Sequence, residues 1–387
     1  MSQNHTRGYL KKYPALSDLQ ERTKRRIPKF AFEYLEGGCN DNQNLAVNHS
    51  DIQRIELMPE YIKDRKPIEV LTSLFGRKFG APFGISPIGL QGLIWPDAPR
   101  ILAEAAVSQN IPFILSTVST ASIEEISEVT NGEAWFQLYH PAKEEMRNDL
   151  LNRLEEAGYN VLVLLADVPT KFGYRPWDIR NGLSLPPSMS LRNLYQIISR
   201  PEWAINTLKS GSPKFKTLEP YMPKGLDLSQ LGEFMNRTFD GRLTESRIAE
   251  IRQKWNGKLV VKGLVNPLDV EKAINLKVDG IIVSNHGGRQ LDAGESSINS
   301  LKRLVKDYAG DITIMMDGGI RSGPDIARVL ASGAEFTFMG RPFMYGVGAL
   351  GRRGGDHVIA LLKTQLDQIM GQLCCERIQD LPGHLIK

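Results

Sequence analysis

The most constraining feature of this chain is a rhythm. From about residue 82 onward, short apolar runs bounded by turn residues alternate with amphipathic stretches of helical length, the pattern of successive βα units that build a parallel sheet. Eight runs fit a strand: FGISP (83–87), PFILS (112–116), AWFQLY (134–139), VLVLLAD (161–167), KLVVKG (258–263), GIIVSN (280–285), ITIMMD (312–317) and EFTFMG (335–340). Between them stand helical candidates such as PRILAEAAVSQN, PAKEEMRNDLLNRLEEAG, PLDVEKAINLKV and GPDIARVLASG, each ending near Gly or Asn. Eight strands separated by helices close most naturally into an α/β fold, the (β/α)8 TIM barrel.

Length alone divides 387 residues into two or three domains, but one such barrel commonly takes about 250 residues or more. The pattern instead predicts an N-terminal helical segment over 1–80, packed on a barrel over 81–387. Within the first segment, 17–37 reads as helix interrupted at Pro28 and stopped by Gly37-Gly38. One connection is irregular. Residues 172–243 hold no clean βα unit, only short helical pieces such as LRNLYQIISRPEWAINTLKSG, and connections this long are usually functional or mobile. Following the fourth strand, this insertion is expected over the barrel mouth.

Composition narrows the function. With 41% hydrophobic and 24% charged residues the chain is an ordinary globular one, and 48 Lys plus Arg against 44 Asp plus Glu leave an excess too small for a nucleic-acid partner. Cys39, Cys374 and Cys375 show no ligand spacing, which argues against a disulfide framework or a metal site. No signal peptide and no membrane-spanning run is evident, so a cytoplasmic protein is expected.

In a barrel of this kind the active site lies at the C-terminal ends of the strands. Those ends read Pro87, Ser116, Gln137 with Tyr139, Asp167, Lys262, Ser284 with His286, Asp317, and Gly340 with Arg341. His286 is the best acid–base candidate: it lies in SNHGGRQLD (284–292), where Gly287 and Gly288 permit close backbone approach and Arg289 offers a fixed cationic fork. His140 competes, as a residue directly after Tyr139, with a helix-entry role as its alternative. Asp167 ends an apolar strand, where it either caps a turn or meets an imidazolium formed on His286. DGGIRSG (317–323), with Gly319 and Arg321, and MGRP (339–342) close strands seven and eight, where barrels often bind phosphate. GVGALG (346–351) matches a dinucleotide fingerprint in letters only, since it does not open from a strand.

These residues resemble a known family, the FMN-dependent (S)-2-hydroxy acid oxidases and dehydrogenases, with the strongest likeness to its mandelate branch beside the glycolate and lactate ones. SNHGGRQLD carries most of the resemblance, with WFQLY, VVKG, DGGIRSG and GYRPWDIRNGLSLPP (173–187) in order. It implies FMN as cofactor and oxidation of an (S)-2-hydroxy acid to the 2-oxo acid, by proton abstraction from Cα or by hydride transfer to the flavin. His286 is then the base, Asp167 its charge partner, Arg289 and Arg175 the carboxylate clamp, Tyr34 a further donor, and Tyr139 a contact to the substrate hydroxyl. Ser116 and Gln137 go to the flavin ring, Lys262 to its N1/C2 edge, Ser284 and Asp317 to ring and ribityl, and Gly319, Arg321, Gly340 and Arg341 to the phosphate region.

Two positions depart from the family. Pro87-Ile88-Gly89 replaces a Pro-Thr pair followed by Ala or Gly, and Leu165 stands where a second threonine is usual, so two hydroxyl partners of the flavin are missing. Gly89 leans toward a dehydrogenase delivering electrons to a quinone or other carrier; an oxidase producing hydrogen peroxide from oxygen is the alternative, followed by an FMN-dependent isomerase or a non-catalytic FMN-binding barrel. Leu90, Val118 and Phe172 are expected to border an aromatic or larger aliphatic substrate side chain. Basic residues of 192–224 (Arg192, Arg200, Lys209, Lys214, Lys216, Lys224), interleaved with Tyr195, Ile197, Ile198 and Trp203, suit peripheral contact with the inner face of the cell membrane; a solvated lid is the other reading. The resemblance also implies a homo-oligomer, a tetramer.

Overall fold

A computed structural model describes residues 3–64, 67–169, 173–183, 188–223, 225, 234–235, 237–239 and 242–386, with side chains from Gly8. Phe172 and Lys224 lie outside the described residues. The eight expected strands are present as β1 (Phe83–Ile85), β2 (Ile114–Ser116), β3 (Trp135–Leu138), β4 (Val161–Leu165), β5 (Lys258–Leu264), β6 (Gly280–Val283), β7 (Thr313–Met316) and β8 (Phe336–Met339). All but β5, which runs one residue past its own, are a little shorter than their apolar runs, mostly because the run's last residues leave the ladder to enter the loops that form the mouth. The parallel pairing runs β1-β8-β7-β6-β5-β4-β3-β2, and a bridge between Ile85 and Phe113 closes the ring. This is the (β/α)8 barrel.

Strand alternation divides the apolar residues into two layers. Outward residues such as Leu162, Leu164, Leu259, Val261 and Ile281 join the large core beneath the helices. Inward residues Ile114, Trp135, Val163, Val260, Ile282, Met315 and Phe338 fill the barrel itself. The N-terminal segment is more than helices. A hairpin of Thr72–Leu74 and Arg77–Phe79 turns through Phe75 and Gly76, both at positive φ, as a two-residue hairpin turn requires. It plugs the barrel floor with Leu74, Phe75 and Phe79, the Phe75 ring lying 5.8 Å from that of Trp135.

The helix anticipated over 17–37 forms as two, Leu16–Arg26 and Lys29–Glu36, with Pro28 as the N-cap of the second. The first packs along Arg341–Leu350, the helix that contains GVGALG. There a Cβ on Gly348 would lie 2.5 Å from Thr23 Cγ2 and one on Gly346 2.5 Å from Val358 Cγ2. These glycines serve close helix packing. Gly348→Ala is therefore expected to destabilise the fold by about 1–3 kcal/mol through overpacking, read as a lower urea midpoint with an unchanged slope; an unaltered midpoint would contradict the tight contact.

Candidate active site

The inward phase of each strand ends, two residues beyond the apolar plug, in the mouth layer. From Ile114 the next inward residue is Ser116, from Trp135 Gln137, from Val163 Leu165, from Val260 Lys262, from Ile282 Ser284, from Met315 Asp317 and from Phe338 Gly340. Strand periodicity alone thus converts a dry interior into a polar ring at the C-terminal end. The ring opens into a cavity of ≈ 490 Å³, whose wall includes Tyr34, Pro87, Ile88, Gly89, Ser116, Gln137, Tyr139, Lys262, His286, Arg175, Arg289, Asp317, Gly319, Arg321, Gly340 and Arg341. Asp167 and Ser284 are positioned just behind this wall.

Ser284 accepts from Lys262 Nζ at 2.7 Å, and Lys262 lies 3.1 Å from Asp317 Oδ2. Ser86, the residue directly after β1 and in phase with its inward Gly84, donates to the same Asp317 oxygen at 3.0 Å. Lysine and aspartate are almost fully buried, and removing one partner of such a pair costs roughly 3–5 kcal/mol.

His286 Nδ1 is 3.0 Å from Asp167 Oδ1. The loop that delivers it uses three consecutive left-handed residues, His286 at φ 58°, Gly287 at 63° and Gly288 at 76°. A non-glycine residue held there is strained, and such strain concentrates at functional sites. Gly288 must be glycine because a Cβ would meet the Leu45 backbone at 2.6 Å, and Asn285 ties the loop down by donating to Asn44 Oδ1 and Asn48 Oδ1. Burial opposes the charge on both partners. For Asp167 the neighbouring His286 and Lys262 outweigh burial and hold the carboxyl below its ordinary range; for His286 burial wins over the attraction of Asp167 and lowers the imidazole. The resting pair is thus carboxylate and neutral imidazole.

Among the described residues His286 is the one histidine on the cavity wall. His140 is buried with Nδ1 2.8 Å from the Pro141 carbonyl, the helix-entry arrangement. Tyr139 is held as a phenol by burial.

Cations crowd the rest of the wall. Arg289 Nη1 donates to the carbonyls of Tyr34 and Gly37 at 2.8 and 2.5 Å, and Arg175 Nη2 donates to Gln290 Oε1 at 3.2 Å. Burial and Arg175 lower Arg289 to about 10; burial, Arg321 and Arg289 lower Arg341 to about 9. Both guanidinium groups remain charged at neutral pH, so burial and mutual repulsion oppose charges that the cavity nevertheless keeps. Arg341 spends its side chain on the carbonyls of Leu35, Glu36, Gly37 and Gly287, tying the Lys29–Glu36 helix to the barrel. The amide end of its own helix, beginning at Gly340, faces the cavity beside Arg321.

These features fit FMN. Gln137 Nε2 is buried and unpartnered, as a ring-facing amide would be, a Cβ on Gly340 would meet nothing closer than Ile88 Cγ1 at 3.5 Å, and the helix N-terminus with Arg321 suits a phosphate. Ile88 and Leu165 present apolar surface to the same cavity, in keeping with their missing hydroxyls. The strand-end reading also missed Asp178, Leu183, Phe215 and Met235, all on the wall. Asp178, three residues after Arg175, carries a helical ion-pair spacing that could have revealed it; the other three come from the insertion, where no periodicity marks them.

Comparison with known proteins gives the family. The model of the FMN-dependent dehydrogenase family matches residues 23–387. L-lactate dehydrogenase of Haemophilus influenzae (strain PittEE) is 36% identical over 366 residues, 94% of this chain and 96% of the relative. That of Pseudomonas syringae pv. syringae is 35% identical over 355 residues, 92% and 93%. Among solved structures, monotopic membrane protein (S)-mandelate dehydrogenase superposes with a TM-score of 0.90 at 33% identity, covering 96% of this chain and 98% of that one. A mandelate oxidase gives 0.81 at 30%, covering 97% and 98%.

The cation crowding predicts that FMN stabilises the apoprotein more than riboflavin, which lacks the phosphate. At a hundredfold excess over its dissociation constant FMN is expected to add about 2.7 kcal/mol, measured by thermal unfolding; equal shifts from both ligands would place the phosphate elsewhere. Fold, strand-end chemistry and relatives converge: the chain belongs to the FMN-dependent dehydrogenase family.

Proposed function

We propose that this protein oxidises an (S)-2-hydroxy acid with an apolar side chain to the corresponding 2-oxo acid. The observation that carries the reading is the His286–Asp167 pair on the same cavity as the guanidinium groups of Arg175 and Arg289. Arg175 and Arg289 hold the substrate carboxylate, assisted by Tyr34, and Tyr139 contacts the hydroxyl; two cations fixed on the protein orient Cα so that one face is presented for reaction. When bound, FMN would take up two electrons and one of the two hydrogens lost from the Cα–H and O–H bonds, the other leaving as a proton. Neutral His286 receives the proton, and the imidazolium so formed lies against the Asp167 carboxylate, which stabilises it. Lys262, fixed by Ser284 and Asp317, supplies positive charge at the flavin. Ser116 and Gln137 hold the ring, and Gly319, Arg321, Gly340 and Arg341 surround the phosphate end.

Leu90, Val118, Leu183, Phe215 and Met235 make the apolar part of the wall, which favours an aromatic or larger aliphatic side chain. A Cβ on Gly89 would lie 2.9 Å from Val118 Cγ2, so that corner has no room for the alanine of the oxidases. The acceptor in this reading is a quinone or another carrier, and a homo-oligomer belongs to it by family likeness.

The insertion supports surface contact with a membrane. Leu191, Leu194, Tyr195 and Ile198 recur at helical spacing on the exposed face of Leu191–Ile198, and Leu208 on the next helix is 81% exposed. Arg192, Lys209 and Lys214 are exposed nearby. Two residues expected on that face are elsewhere: Trp203 is buried edge-on against Phe30, and Ile197 packs on the core. No helix among the described residues is long and apolar enough to cross a membrane. The protein is expected to co-sediment with anionic phospholipid vesicles at low salt, and Leu191→Ser with Ile198→Ser to release it; a protein that stays in the supernatant would exclude the contact.

The central test is anaerobic bleaching of the flavin by mandelate, lactate, glycolate and longer 2-hydroxy acids, then admission of oxygen. His286→Asn is expected to keep FMN while turnover falls about 10²- to 10⁴-fold. Because only neutral His286 accepts a proton, wild-type kcat/KM should rise with pH through a midpoint below the ordinary 6.5 and then stay level. A midpoint above that value would assign the base to another group.

A further inference from the structure

Asp178 is a buried carboxylate that the chemistry above does not use. It stands in the first turn of Pro176–Arg180, the short helix that also begins at Arg175, and is 7% exposed on the cavity wall. Two cations face it: Arg175, whose Nη1 lies 3.8 Å from Asp178 Oδ2, and Arg289, which arrives from the loop after β6. The helix packed against this one, Lys29–Glu36, sends its Glu33 carboxylate to Asn181 instead.

A first-turn acid stabilises a helix through the dipole, but an exposed position serves that purpose at no desolvation cost. Nor is the Nη1–Oδ2 contact a hydrogen-bond anchor for Arg175. At 3.8 Å the contact is no hydrogen bond, whereas Arg175 Nε and Nη2 donate to the Arg289 carbonyl and to Gln290 Oε1. What remains is its charge. At 3.8 Å from Arg175 Nη1 the carboxylate is close enough to act on the cation by charge without taking a hydrogen bond from that nitrogen.

We propose that Asp178 is a standing rival of the substrate carboxylate for the Arg175–Arg289 cation pair, placed to weaken binding of the 2-hydroxy acid and the 2-oxo acid alike. The proposal rests on the 2-hydroxy acid reading above. Substrate, transition state and product carry the same carboxylate, and binding that is equal in ground state and transition state lowers KM without raising kcat. An unopposed pair of buried guanidiniums would retain the product, and release is often the slow step. A fixed anion beside them trades affinity for release.

The test uses holoenzyme with FMN bound. Phenylglyoxylate and pyruvate are titrated into the oxidised protein and followed by the perturbation of flavin absorbance. Asp178→Asn is expected to bind phenylglyoxylate about tenfold more tightly, the scale of one nearby charge in a partly screened site. KM for mandelate should fall with it, while the rate of flavin reduction at saturation is kept. Asp178→Glu should restore an affinity near wild type, and the neutral amide of mandelate should bind all forms equally. If Asp178→Asn does not fold, Asp178→Ser, which removes the charge and keeps a polar first-turn group, must show the same tightening. Unchanged or weaker phenylglyoxylate binding in a folded, FMN-loaded variant overturns the proposal. A wild-type flavin that no 2-hydroxy acid bleaches overturns the reading beneath it, a result visible before any variant is made.

Discussion

The buried ion pair of Lys262 and Asp317 is the constraint on which the mouth of this barrel depends. An ammonium and a carboxylate enclosed by strands are expensive to desolvate, and this pair persists because four strands contribute to it: β5 the lysine, the end of β7 the aspartate, and the residues after β1 and β6 the hydroxyls of Ser86 and Ser284. The arrangement cross-links the ring at the level where the apolar plug ends. It also fixes a positive charge whose position does not depend on a flexible stem. Ser284 then receives the His286 amide at 3.0 Å, so the same cluster sets the start of the loop that carries His286. Structural cross-link and placement of His286 are one network.

Around that network the protein accumulates charge of one sign. Arg175, Arg289, Arg321 and Arg341 share a single cavity, and carbonyls of the Lys29–Glu36 helix end satisfy part of their donor capacity. The C-terminus of a helix carries partial negative charge, which makes those carbonyls suitable partners. The N-terminal segment therefore does more than cover the barrel: its helix end supports two of the arginines, and Tyr34 from the same turn lines the site, with Arg289 stacked 5.1 Å from its ring.

The eight βα units were legible because parallel strands buried on both faces read as continuous apolar runs, and their ends named a polar part of the wall, His286 included, with Arg289 in the loop that follows. Recognition of family motifs, not periodicity, supplied Arg175 and Tyr34, since neither lies at a strand end. What stayed hidden has physical reasons. The hairpin plug is two strands of three residues, too short for alternation to register. Ser86 is the next inward residue after Gly84, yet a strand ending in Ser-Pro looks like a turn. Trp203 looked surface-directed because the insertion was read by composition, while its indole donates to the Leu93 carbonyl at 3.2 Å from a buried site. Composition reports what a segment contains, not which face it presents.

The insertion illustrates how the site and the surface share a segment. Arg175 and Asp178 begin it, and Asn181, three residues on, donates to Glu33 Oε2 at 2.6 Å while its carbonyl receives Asn193 Nδ2 at 2.8 Å. Asn193 belongs to Leu191–Ile198, the helix with the exposed apolar face. One asparagine thus joins the short helix that Arg175 caps, the N-terminal helix bearing Tyr34 and the helix bearing the apolar face. Farther on, Phe239 returns to rest 5.7 Å from the Tyr139 ring, so the segment is anchored on both sides of the mouth. A membrane surface and the substrate carboxylate would then be met by consecutive parts of one anchored segment, and what holds one in place also holds the other.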